Sequence, residues 1–216
     1  MENGFREFLN EVPPITLREP LAETLGAWQG DGPVHYAFTD VVKMAGHACP
    51  TVSGAYLSCA RALEALYPGE TPVRGDIGIT VYGGEQEGVY GVMGQVFAFI
   101  TGAAPVTGFD GLMTRFRRKN LLVFSREKPD EEAMCFEFRR PDTGKAVLVK
   151  FFPGRIPYPD DKNRRMGELI KPVVWDAATP EERAEFQDLW MGKVEDMLVR
   201  HKDMEKWLTL ETKEAR

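Results

Sequence analysis

"EAMCFEFRRPDTGKAVLVKFFP", residues 132–153, decides the fold class. Two short apolar runs rich in valine and phenylalanine flank Pro141-Asp142-Thr143-Gly144, a turn sequence, so the stretch reads as two strands joined by a tight connection. "VRGDIGITVY" (73–82) and "KNLLVFSRE" (119–127) read as two further strands. Helical patterns precede this strand-rich middle and follow it. Helices, then antiparallel strands, then helices make an α+β protein: an antiparallel sheet packed with helices, ending in a helical C-terminal tail. The expected organisation is a lead-in over residues 1–30, an α+β core over 31–176, and C-terminal helices over 177–216 packed on the core or on a dimer partner.

The lead-in reads as short helical pieces broken by "VPP" and "GDGP". "FTDVVKMAG" (38–46) predicts a short helix, with Thr39 as N-cap and Gly46 as its stop. In "PTVSGAYLSCARALEALYPG" (50–69), Val52, Tyr56, Cys59, Leu63 and Leu66 recur at spacings of three and four, the mark of a helix buried on one face. "GGEQEGVYGVMGQVFAFITG" (83–102) predicts a loop entering a third helix that stops at Gly102. Gly88, Gly91 and Gly94 recur there, each costing about 1 kcal/mol against alanine inside a helix. Close approach of another backbone or of a ligand is the expected compensation. "ATPEERAEFQDLWMGKVEDMLVRHKDMEKWL" (178–208) predicts a long helical region. Thr179 caps it, Pro180 sits at the first position, and Glu182 completes a capping box.

Composition narrows the function classes. A net charge of −6 and a pI near 5.3 argue against a nucleic-acid binder, which needs a basic footprint. "MENGFREFLNEV" lacks the apolar segment of a secretory signal, and no stretch reaches the ~20 apolar residues of a membrane span. Three cysteines without a regular framework fit reduced thiols, hence a cytoplasmic location. A cluster of cations, "RFRRKN" (115–120), stands out in this acidic chain. It reads either as an anchor for a small anionic molecule, with Arg117 as candidate, or as an edge charge cluster that blocks sheet aggregation.

One turn concentrates reactive side chains. "AGHACPT" (45–51) places His47 and Cys49 two residues apart in a chain with only three of each. With Pro50 at the first helical position, Cys49 becomes the N-cap and faces free backbone N–H groups and the positive end of the helix dipole. Both favour a thiolate. His47 can share a metal with the sulfur, or serve as base to a Cys49 nucleophile. An ordinary capping turn is the third reading of the same residues.

"GHACP" opening an alanine-rich helix resembles the GHxCPG signature of the FmdE family, which takes its name from a component of formylmethanofuran dehydrogenase. The order "GQVFAFITGAAPVTGFDGL" then "RRKNLLVF" is similar to the family's helix, Thr-Gly, loop and strand. "TPEERAEFQDLWMGKVEDML" (179–198) is similar to its closing helix, so the likeness spans roughly residues 35–200. The resemblance implies an α+β core, a homodimer, and a His/Cys metal site in a cleft, with zinc first among the metals. The chain departs from that pattern. Ala45 stands where the family often has another histidine, the third helix's entry has no cysteine, and no CxxC pair of a C-terminal zinc finger is present.

Other residues are therefore candidates to complete a site. Glu85 and Glu87, in a glycine-flanked loop before a helix, offer oxygen ligands or a base, or are solvated acids at a helix start. Gln95 stands near a polar position of the family. His35 is a candidate replacement ligand or a surface residue. Cys59 reads as a buried structural thiol, Cys135 as part of the sheet, and His201 as solvent-facing.

Overall fold

The computed structural model describes residues 4–30 and 32–213. Residues 1–3 of the lead-in, Asp31 of the "GDGP" break and residues 214–216 of the tail lie outside the described residues.

The fold is α+β. Strands β1 (Ile15–Leu17) and β2 (Val34–Tyr36), separated by helix α1 (Pro20–Leu25), form a small antiparallel pair. Helices α2 (Phe38–Ala45) and α3 (Pro50–Leu66) follow, then strand β3 (Gly78–Tyr82) and helix α4 (Tyr90–Thr101). Strands β4 (Leu122–Ser125), β5 (Met134–Arg139) and β6 (Ala146–Phe151) lead to helices α5 (Asp160–Val174), α6 (Pro180–Leu198) and α7 (Met204–Trp207), and the last strand is β7 (Leu208–Lys213). The main sheet has the order β4-β3-β5-β6-β7.

Local chemistry explains the elements that match expectation. The Pro141–Gly144 turn closes β5 onto β6 through Gly144 N–H donating to the Arg140 carbonyl at 2.9 Å, with Gly144 at φ +73°. The periodic stripe of α3 is wholly buried, and α6 begins with the expected reciprocal box: Glu182 N–H to Thr179 Oγ1 at 3.2 Å, Thr179 N–H to Glu182 Oε2 at 2.9 Å. Gly46 and Gly102 stop α2 and α4 in the left-handed conformation. Helix α2 starts two residues earlier than Thr39 predicts: Ala37 is the N-cap and Asp40 accepts its backbone N–H at 3.1 Å.

Three features differ from the sequence reading. The pair β3/β4 is parallel, so the main sheet is mixed, because α4 and the long loop behind it carry the chain back to the starting end of β3. Helix α5 has no counterpart in the sequence reading. The C-terminal tail is not helical throughout: α6 stops at Leu198, and Leu208–Lys213 pairs along β6 as β7. Five of the six β6 residues are buried, and without β7 that strand would present its open hydrogen-bonding edge.

The core lies between one face of the sheet and helices α3 and α4. Phe97 of α4 packs edge-on to Phe136 and Phe138 of β5, with ring centroids 5.0 and 5.1 Å apart. A Cβ at Gly54 would stand 2.4 Å from Phe151, so glycine sets how closely α3 approaches β6. The opposite face carries ion pairs such as Lys150 with Glu211 at 2.6 Å and Lys213 with Glu137 at 2.6 Å. Helix α6 packs on α3, whereas α5 buries one residue, Leu169.

The lead-in is tied to the core by a buried charge cluster. Glu19 accepts from Arg74 Nη1 at 2.7 Å and from Arg118 Nη2 at 2.5 Å. Arg74 also donates to the carbonyls of Ile100 and Phe99, at 2.9 and 2.8 Å, and so caps the C-terminus of α4. One arginine of the "RFRRKN" cluster thus serves the interior, while Arg117 stays exposed and pairs with Asp110 at 3.1 Å.

Candidate functional site

The His47–Cys49 turn is held at three consecutive points. Cys49 is the N-cap of α3, with Pro50 at the first helical position and Sγ accepting the Val52 N–H at 3.4 Å. Trp190 of α6 donates its indole N–H to the Ala48 carbonyl at 2.9 Å. His47 Nδ1 lies 3.0 Å from the Ala45 carbonyl oxygen. A carbonyl only accepts, so Nδ1 carries the proton of that contact, and the neutral ring presents Nε2 as a lone pair. Ala45 therefore orients His47 through its backbone.

The two reactive side chains differ in exposure: His47 is exposed, while Cys49 is 8% exposed. This pair supplies one nitrogen and one sulfur donor. A four-coordinate zinc needs more. Among the described residues, no group of three or more His, Cys, Asp and Glu side chains is placed to hold a metal ion.

The other candidates do not join His47 and Cys49 in a metal-holding group among the described residues. His35, on β2, is exposed and its Nδ1 is 3.0 Å from Thr16 Oγ1 across the small sheet. Gln95 is exposed on α4. Glu85 and Glu87 line a cavity of about 620 Å³ at the end of β3, together with Phe124, Ser125 and Arg126, and the His47–Cys49 turn does not contribute to its wall. Glu87 closes its own loop by accepting the Gly84 N–H at 3.2 Å. Gly91 is required here, since a Cβ would lie 2.5 Å from the Glu85 carbonyl oxygen. Arg126, the cation in this cavity, does not stand out in the sequence because it lies at the end of a strand without a motif around it.

All three cysteines are unpaired and buried. Burial pushes the Cys59 thiol far up, which suits a structural residue. Burial, helped by the Asp130 charge, raises Cys135 to about 11. Neither is placed as a nucleophile. Among the described residues, no helix is long and apolar enough to cross a membrane.

No family model and no curated protein matches this chain.

Proposed function

We propose that the chain is an FmdE-like protein whose chemistry is centred on the His47–Cys49 turn, where His47 Nε2 and Cys49 Sγ hold a divalent metal, zinc first. One observation carries the reading: the Nδ1 contact to the Ala45 carbonyl. A ligating histidine generally donates its second ring N–H to a backbone carbonyl or carboxylate, which fixes the ring and raises the basicity of the ligating nitrogen. The helix N-terminus and the indole bond to Ala48 support the reading by holding sulfur and imidazole on one short turn. When bound, such a metal supplies Lewis-acid chemistry. The residues of this chain orient its nitrogen donor and hold the sulfur at the N-terminus of α3. The remaining positions are left to water, to a small anionic molecule or to groups outside the described residues.

Metal analysis of protein purified without added metal tests this, with Cys49→Ser and His47→Ala beside it. Stoichiometric metal in the parent and its loss from both variants support the reading. Equal, negligible metal in all three refutes it.

A second reading, a metal-free thiol enzyme in which His47 assists a Cys49 nucleophile, rests on the same two side chains, with no third donor grouped with them among the described residues. Its test is the rate of alkylation at Cys49, which His47→Ala should slow at neutral pH without unfolding the protein. An unchanged rate removes this alternative. A homodimer belongs to both readings. Its support is the tip of the α5–α6 hairpin, where Val174 and Trp175 are 66% and 75% exposed. Sedimentation of the parent and Trp175→Glu decides it, with dissociation of a dimer as the expected effect.

A further inference from the structure

A groove of about 380 Å³ runs between the back half of α3, the Val12–Thr16 segment and the turn joining α6 to α7. It lies further along the helix that Cys49 caps, and the His47–Cys49 turn is not part of its wall. Its size lies within the range of small-molecule sites. Leu57, Ala60 and Leu63 of α3 and Leu198 of α6 give it an apolar floor.

The wall is built rather than incidental. Tyr56 donates its hydroxyl hydrogen to the Pro13 carbonyl at 2.8 Å and accepts the Ile15 N–H at 3.2 Å, which fixes the rigid Pro13-Pro14 segment against α3. Tyr67 at the end of α3 also lines the groove and is only 7% exposed, with Arg140 stacked 4.2 Å from its ring centre. Its hydroxyl has no hydrogen-bond partner among the described residues and is not sealed from solvent. A hydroxyl without a protein partner on a residue that lines the groove is free to bond a guest molecule in place of water. Burial, against the opposing charge of Arg140, pushes this phenol up to about 12, so it remains a hydrogen-bond donor through the physiological range.

On the far side stands His201, in the left-handed conformation at φ +47°, a strained setting for a non-glycine residue. Its Nε2 is 2.8 Å from the Leu198 carbonyl and must donate there, which leaves Nδ1 of the neutral ring as an acceptor. The charges at the rim are matched. Arg61 pairs with Glu64 at 2.5 Å, and Glu70 pairs with Arg140 at 3.1 Å. No ion pair there waits for a charged guest.

We infer that this groove binds an uncharged small molecule with an apolar body and a hydroxyl group, which accepts from the Tyr67 hydroxyl and donates to His201 Nδ1. The floor supplies the affinity, and the two polar groups select the hydroxyl.

Titration of the full chain with 2-naphthol, followed by calorimetry, tests the assignment. Saturable one-to-one binding is expected, with weaker binding of 2-methoxynaphthalene, which lacks the donor, and of the charged 2-naphthoate. Tyr67→Phe keeps the ring and removes only the unpartnered hydroxyl. It should weaken 2-naphthol about 3- to 10-fold, the worth of one hydrogen bond, while leaving the melting temperature unchanged. Ala60→Phe fills the floor from a half-buried helical position and should abolish binding, with circular dichroism confirming the fold. The inference is overturned by no saturation in the parent, by equal binding in Ala60→Phe or Tyr67→Phe, or by tighter binding of 2-naphthoate.

Discussion

Replacing Glu19 with glutamine removes one negative charge from a site that holds two guanidinium groups. The carboxylate side chain is 8% exposed and those of Arg74 and Arg118 are 15% exposed each, so water offers little compensation. Breaking a buried pair by removing one partner typically costs about 3–5 kcal/mol, because the other charge is left uncompensated. The low end applies. Arg74 retains its bonds to the Ile100 and Phe99 carbonyls, whereas Arg118 loses its one carboxylate partner among the described residues. A loss of about 3 kcal/mol corresponds to a fall in melting temperature of roughly 6–12 °C for a chain of this size. The pH dependence sharpens the test. Burial by itself pushes the Glu19 carboxyl up, but the hydrogen bonds and charges of Arg74 and Arg118 together outweigh it, so the folded-state value lies below the ordinary one. A carboxyl depressed on folding contributes stability above its unfolded value, and that contribution disappears as pH falls through the folded value. Urea denaturation of the parent and Glu19→Gln should therefore differ by about 3 kcal/mol at neutral pH, and the gap should narrow in acid below the ordinary carboxylate range. A difference under about 1 kcal/mol at neutral pH, or a gap that widens in acid, would refute the reasoning.

Three further outcomes follow from local geometry. Thr114, a β-branched residue at φ +73° beside Met113 at φ +47°, sits in an exposed two-residue turn closed by reciprocal bonds between Leu112 and Arg115, so Thr114→Gly should leave stability unchanged or raise it by up to about 1 kcal/mol in thermal melts. A clear loss would show that the side chain is in use. Gly91→Ala forces a methyl group to 2.5 Å from the Glu85 carbonyl oxygen and should cost about 1–3 kcal/mol, read by denaturation, with loss of order in the Gly83–Gly88 loop by amide exchange. Truncation after Trp207 removes β7 and bares the edge of β6, and the product should aggregate on expression, as measured by the soluble fraction. A soluble, cooperatively melting truncation would contradict the structural role given to that strand.

What the sequence by itself determined rests on signals contained within a few neighbours. A proline at the first helical position with Cys49 before it, the Thr179–Glu182 box, the glycine stops and the Pro141–Gly144 turn each act over two to five residues, and the structure keeps all of them. The α+β class and the N-cap position of Cys49 were therefore legible. The tertiary structure alone decided matters that depend on distant partners. Leu208–Lys213 reads as the end of a charged helix, yet becomes a strand because β6 offers an unpaired backbone edge, and strand preference is set more by the available neighbour than by the residues themselves. Helix α5 is exposed over most of its length and carries a proline, so its apolar pattern was too sparse to read. That Glu85 and Glu87 line a cavity without the His47–Cys49 turn has the same origin, since chemistry-bearing residues announce their types but not which loops the sheet brings together. So has the encounter of Glu19 with Arg118, 99 residues apart, and of Tyr67 with the groove beside His201. Helix caps and turns are enforced by bonds a few residues long, whereas a site is assembled by packing.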